Sequence, residues 1–382
     1  MIKKITIVLD GVADRPNAQL GGKTPLEYAK TPNLDALAAK SELGLVRTIP
    51  PGMEVGSAVG NLGMLGFDPA GYRGRSYVEA AGMGLPIRDT DLYVRTNFVT
   101  FEGDSLEDSV IRSYSAGDVS TEVAEPIARM LSETVFTPPY ELIYCGSFRS
   151  TLIVENGRDL YPVELAPAHD IIGQPVAPYL AAMKENAPEF LRLLRECYEK
   201  LQNTGTPVNG VWFWGASIAP DISGETKGRV ALSETLLMDG ITTITGIPNI
   251  GTKREGRSYP DFLEEKLEKA LEALPEYDNL YIHFQETDDL AHELEPLKKA
   301  QAIEAFDTVF LPRFLAALKD DYTITLAGDH FTFSDTGAHG GDPVPYLYFD
   351  SRSPHAGGAR LTEAEGKKTG IFYEAHDLMQ RP

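Results

Sequence analysis

Long apolar runs are missing from this 382-residue chain. No stretch approaches the roughly 18 consecutive apolar residues of a membrane-spanning helix, so no transmembrane protein is expected. Cysteine is nearly absent. Cys145 and Cys197 are far apart and neither lies in a CxxC pair, so they read as reduced structural thiols rather than a disulfide framework. Positive charge is also short, with 35 Lys and Arg against 56 Asp and Glu and a formal net charge of −21. That balance argues against a nucleic-acid partner and against an anionic membrane surface. It is compatible with a carboxylate-rich site for divalent cations. There is no G-x-x-x-x-G-K-[ST] phosphate loop, no internal repeat and no low-complexity segment. The start, MIKKITIVLDG, resembles a signal peptide only at first sight. Its apolar run ITIVL is short and Asp10 follows at once, so it reads as a buried first strand, and a cytoplasmic location is expected.

What is present fits a globular α/β protein. Hydrophobic residues make up 42% and charged residues 24%, ordinary values for a soluble domain. The pattern predicts strands at 4–9, 91–99, 208–214, 242–247, 280–284, 323–327 and 344–349. Helices are expected at 33–40, 177–202, 260–274 and 297–318. This alternation implies a mostly parallel sheet with helices on both faces. Between 100 and 175 the texture changes to short strands, polar loops and one helix at 121–134. That segment reads as an inserted smaller α+β domain, leaving 1–99 and 176–382 as the core. In a parallel sheet, ligands bind beyond the carboxyl ends of the strands. Asp10, Asp288 and Asp329 each follow such an end.

The stretch FQETDDLAH places Asp288 four residues before His292, so both lie on one face if a helix starts there. The spacing alone fits a capped helix start as well as half of a metal site. Ser57 lies in the glycine-rich MEVGSAVGN. Asp329, His330 and His339 lie in AGDHFTFSDTGAHGGDPVP. Carboxylates and imidazoles suit Mn²⁺ and Zn²⁺, and a carboxylate-rich site also suits Mg²⁺. Two such groups could hold two ions and clamp the attacking and leaving oxygens of a phosphoryl transfer, with a serine hydroxyl as nucleophile. Glu286 reads as a cap or supporting group. His283 reads as strand core, and His355 and His376 as structural. His169, in PAHDIIGQP, is either a turn residue or a substrate contact. Arg75, Arg95, Arg112 and Arg149 are candidates for a carboxylate or phosphate, which arginine binds in two-pronged fashion. Trp212 and Trp214 alternate as strand packing would require.

In this order the segments resemble the archaeal-type cofactor-independent phosphoglycerate mutases and their bacterial relatives, within the alkaline phosphatase superfamily. VLDGVADRP, LGGKTPLEYAKTPNLDALA, GSAVGNLGMLGFDP, YRGRSYVEAAGMG, SYSAGDVSTE, PAHDIIGQP, ETDDLAH, AGDH and AHGGDPVP all have counterparts across nearly the whole chain. The resemblance implies an alkaline-phosphatase-like core and two divalent ions, Mn²⁺ or Mg²⁺ with Zn²⁺ also suited. One ion would be held by Asp288, His292 and His339, the other by Asp10, Ser57, Asp329 and His330. Ser57 would form a phosphoserine during interconversion of 3-phosphoglycerate and 2-phosphoglycerate. Arg75, Arg95, Arg149 and His169 would bind this small phosphorylated acid. The chain departs from the family pattern at Val55 and Ala58 beside the serine. It also carries Asp118 and Asp239 where relatives often carry a basic residue. These changes keep a homoserine kinase-like phosphotransferase, or a phosphatase or phosphonate hydrolase, in contention. The intact ligand set argues against a catalytically dead relative.

Overall fold

A computed structural model describes residues 2–202, 204–254, 256–355 and 359–381. It resolves into two compact units, 1–72 with 222–382 and 73–221.

The first unit is built on a seven-stranded sheet. Its order is Phe372–Glu374, Glu42–Arg47, Val344–Asp350, Tyr322–Ala327, Lys3–Leu9, Asn279–Phe284 and Arg229–Leu232. Lys3–Leu9 pairs in parallel with Tyr322–Ala327 and with Asn279–Phe284. Val344–Asp350 runs antiparallel to both its neighbours. The central strands are almost continuously buried, as a parallel sheet covered on both faces requires. Ile5, Ile7 and Leu9 join one core with Phe262, Leu263 and Leu267 of helix Tyr259–Ala273 and with Phe306, Phe310 and Phe314. Alternate residues point the other way. Tyr281, on that second face, donates its hydroxyl to Asn61 of helix Ser57–Met64. The sheet thus carries helices on both sides.

The second unit holds a five-stranded antiparallel sheet. Leu92–Glu102 pairs with Val110–Ser113, Arg149–Val154 and Gly210–Ser217, and Tyr140–Gly146 pairs with Arg149–Val154. This unit is wider than the expected 100–175. The reason is strand pairing: Leu92–Glu102 is hydrogen-bonded to Arg149–Val154 on one side and to Gly210–Ser217 on the other, so a boundary at 100 and 175 would cut one sheet.

Three expected elements differ. The segment 242–247 is the end of a helix, Leu236–Thr245, not a strand. Its β-branched threonines are accommodated because their hydroxyls bond back one turn, Thr242 to Met238 O, Thr243 to Asp239 O and Thr245 to Ile241 O, each at 2.7 Å. Thr235 caps its start, and Gly246 ends it in the left-handed conformation. The expected helix over 177–202 is two helices, Ala177–Asn186 and Pro188–Leu201. The proline forces the break, since it has no N–H and restricts the residue before it. The helix expected over 297–318 begins at Pro296 and passes through a wide π turn at Phe306–Phe310 ahead of Leu311–Ala317. Among the described residues no helix is long and apolar enough to cross a membrane.

Candidate metal and phosphoryl-transfer site

The carboxyl ends of the central strands converge in the first unit. Lys3–Leu9 delivers Asp10, Tyr322–Ala327 is followed by Asp329, and Asn279–Phe284 leads into helix Glu286–His292. Gly11 adopts a left-handed φ of 57°, and a Cβ there would lie 2.6 Å from Asp288 Oδ1. Only glycine lets the chain turn so close to that carboxylate. The Gly11 N–H donates to Asp329 Oδ1 at 3.0 Å.

Two groups of ligand-type side chains form, each with its atoms within 4.8 Å of one another: Asp288, His292 and His339, and Asp10, Asp329 and His330. In the first group Nε2 of His292 lies 3.3 Å from Asp288 Oδ2 and 2.9 Å from Nε2 of His339. In the second, His330 Nε2 lies 3.4 Å from Asp10 Oδ1 and 3.6 Å from Asp329 Oδ2. Ser57 Oγ joins this group, 3.0 Å from His330 Nε2 and 3.4 Å from Asp10 Oδ1. The rings of His330 and His339 lie 4.3 Å apart, centre to centre, so the two groups are neighbours.

The surrounding hydrogen bonds aim these atoms. Thr332 Oγ1 donates to Asp288 Oδ1 at 2.6 Å and lies 3.1 Å from His330 Nδ1. The Phe331 carbonyl is also 3.1 Å from that nitrogen. Both neighbours can accept, so Nδ1 carries the ring proton and Nε2 presents its lone pair to Ser57 and the carboxylates. Asn61 Nδ2 donates to Asp329 Oδ2 at 2.8 Å and to the Ser57 carbonyl at 2.9 Å. Ser57 opens helix Ser57–Met64 after Gly56. A Cβ on Gly60 would meet the Asp329 carbonyl oxygen at 2.5 Å, so this glycine lets the serine helix pack directly onto the Asp329 turn.

The electrostatics fit cations. Asp10 and Asp329 are both fully buried. Burial pushes the Asp10 carboxyl well above its ordinary range, and the negative charges of Asp329 and Asp288 push it further. Burial would also raise Asp288, but hydrogen bonds from His292 and His339 outweigh it and hold that carboxyl far below its usual range. Three buried carboxylates and three imidazoles, divided between two groups with no lysine or arginine among them, match the donor sets of divalent ions.

The other expected residues lie in the second unit. Arg75 and Arg95 converge on Glu79: Arg75 Nε lies 2.7 Å from Oε1, and Arg95 Nε 2.8 Å from Oε2. Burial would raise the Glu79 carboxyl, but Arg95 and then Arg75 hold it low. The Arg95 guanidinium also lies over the Trp214 ring at 4.4 Å, and His169 meets the same ring edge-on at 5.1 Å. Tyr114 links His169 to Phe148, on which Arg149 stacks at 4.2 Å. Arg112 instead pairs with exposed Glu102.

Some roles were not legible. His283 does sit in a buried strand, but its Nε2 lies 2.8 Å from Asp10 Oδ2. The register pairs His283 with Val8, which puts it on the face of Asp10, two residues on. Trp212 is buried strand packing as expected, whereas Trp214 also packs the Arg95 guanidinium and the His169 ring. Asp239 ion-pairs with Lys253, so its negative charge is neutralised within the chain. Glu286 pairs with Arg254. His355 and His376 lie outside both ligand groups.

The family model of 2,3-bisphosphoglycerate-independent phosphoglycerate mutase matches residues 38–209. The chain is 32% identical to a probable enzyme of that name from Geobacter sulfurreducens, over 98% of this chain and 97% of the relative. It is 35% identical to one from Pyrococcus furiosus, over 90% and 87%. A solved Pyrococcus horikoshii protein superposes with a TM-score of 0.74 at 28% identity, covering 99% of this chain and 95% of that one. The cofactor-independent phosphoglycerate mutase of Thermoplasma acidophilum shares the fold, with a TM-score of 0.66 at 24% identity, covering 99% and 98%.

Proposed function

Because the chain belongs to the 2,3-bisphosphoglycerate-independent phosphoglycerate mutase family, we propose that it interconverts 3-phosphoglycerate and 2-phosphoglycerate through a phosphoserine at Ser57. The observation that carries this reading is the position of Ser57 Oγ, 3.0 Å from His330 Nε2 and beside the Asp10 carboxylate. Asp288, His292 and His339 would hold one divalent cation, Asp10, Asp329, His330 and Ser57 a second, and these ions (Mn²⁺ or Mg²⁺, with Zn²⁺ also suited to the imidazoles) would ease loss of the serine proton and offset phosphoryl charge.

In this reading Ser57 Oγ attacks phosphorus and the bond to the C3 oxygen of the substrate breaks. The serine proton ends on that C3 oxygen. Glycerate re-orients, its C2 hydroxyl attacks the phosphoserine, and the proton of that hydroxyl returns to Ser57. Arg75, Arg95, Arg149 and His169 would bind the anionic groups of the substrate, guanidinium to carboxylate or phosphate. Asp118 and Asp239 remove two cations expected by resemblance, and the ion pair of Lys253 with Asp239 cancels the negative charge of the latter. Two free thiols, one buried and one partly so, fit a reducing cytoplasm.

Phosphorus NMR of the Mn²⁺-loaded protein with 3-phosphoglycerate tests the reading. A growing 2-phosphoglycerate signal without free phosphate is expected. Free phosphate alone would mean a phosphatase. No change with 3-phosphoglycerate, but turnover of homoserine with ATP, would mean a kinase.

A further inference from the structure

Asp10 is gripped on both of its oxygens. Oδ1 faces Ser57 Oγ and His330 Nε2, each at 3.4 Å. Oδ2 lies 2.8 Å from Nε2 of His283. Both side chains are sealed from solvent, so each must find its partner inside the protein. The His283 tautomer follows from its other nitrogen. Nδ1 lies 3.1 Å from Ser233 Oγ, which accepts the Thr235 N–H at 3.4 Å. The Ser233 hydroxyl proton is therefore free to go to Nδ1, and Nε2 carries the hydrogen that Asp10 accepts.

His283 is itself held firmly. Its strand pairs with the strand that delivers Asp10. Its carbonyl accepts from Lys266, a buried lysine that pairs with Glu234 at 2.5 Å. Glu234 Oε1 accepts the Gln285 N–H at 3.2 Å, and Gln285 Nε2 donates to Asp288 Oδ2 at 3.1 Å. One short segment, 283–285, therefore touches a carboxylate of each ligand group.

We propose that His283 is a positioning residue: by donating Nε2–H to Asp10 Oδ2 it fixes the carboxylate so that Oδ1 faces Ser57 and the cation shared with Asp329 and His330. The inference rests on Asp10 being a ligand. Partners that orient a ligating side chain typically set metal affinity by about 10- to 100-fold.

The test is titration of the full chain with Mn²⁺, reading free ion by electron paramagnetic resonance, with thermal melting alongside. His283→Leu removes the donor and should weaken one of the two ions by about 10- to 100-fold. His283→Gln places an amide N–H near the position of Nε2 and should restore most of that loss, which a purely packing role would not. Ser233→Ala frees the tautomer and should weaken the same ion severalfold; it carries the test if His283→Leu does not fold. Wild-type affinity in folded His283→Leu, or in Ser233→Ala should the leucine variant not fold, would overturn the proposal. Asp10→Asn is the control: unchanged Mn²⁺ binding there would overturn the ligand reading itself.

Discussion

Ser57 and His330 come from distant parts of the chain, yet Ser57 Oγ stands 3.0 Å from His330 Nε2. The serine hydroxyl is thus placed against a lone pair and a buried carboxylate. Ser57→Ala is predicted to lower kcat on the order of 10⁴-fold or more while still binding Mn²⁺, because the carboxylates and imidazoles remain. Steady-state kinetics beside metal analysis checks this. Wild-type turnover in that variant would remove Ser57 as nucleophile.

The two ligand groups predict separable losses. His292→Ala deletes one of three ligands in the Asp288 group and leaves the Asp10 group intact. Metal content after dialysis should fall from two ions per chain toward one. An unchanged ratio would remove His292 from the ligand set.

Gly60→Ala tests the packing that brings Ser57 to the Asp329 turn. The added Cβ would fall 2.5 Å from the Asp329 carbonyl oxygen, and the serine helix has to move to accept it. A loss of about 1–3 kcal/mol of stability is expected, with weaker Mn²⁺ binding. Urea unfolding and metal titration read the two effects, and a variant unchanged in both would contradict the close approach.

Much of this site was legible because strand ends are legible. Buried apolar runs, β-branched before Asp10 and Asp329 and mixed aromatic and aliphatic before Asp288, announced the strands, and topology placed those ends together. What sequence reasoning missed depends on contacts it does not contain. The threonines of Leu236–Thr245 look like a strand until their hydroxyls are seen to bond within the helix. The bounds of the second unit depend on which strands pair across it. His283 looked like core because it is core; only register reveals that its ring faces Asp10.

Arg95 is one of the arginines proposed to bind substrate, and Glu79 and Trp214 fix the plane of its guanidinium. Arg95→Met should raise KM for phosphoglycerate by about 10- to 100-fold, the scale of a lost charge-assisted hydrogen bond. Mn²⁺ affinity should hold. An unchanged KM would assign Arg95 to structure alone.

Glu363 gives the fold a pH dependence away from the metal groups. Its carboxylate accepts from the Asp14 N–H at 2.9 Å and from Thr24 Oγ1 at 2.8 Å. Burial pushes it up to about 7 from an ordinary 4.5, so the folded chain holds this proton more tightly than the unfolded chain does. The stabilisation is complete below about pH 4.5 and is lost as pH rises through about 7. Glu363→Gln removes that titration. Between about pH 5 and about pH 8 its stability should gain on the wild type by on the order of 2 kcal/mol. Urea unfolding at both pH values measures the gain, and parallel profiles would contradict it.

The most direct test of the account is to catch the phosphoryl group on the chain. Mn²⁺-loaded protein turning over 3-phosphoglycerate would be quenched in acid within milliseconds, digested and mapped by mass spectrometry. The account predicts phosphate on the peptide that contains Ser57, and none in the Ser57→Ala variant. Rapid turnover with Ser57 unmodified, or with phosphate on a different residue, would contradict it.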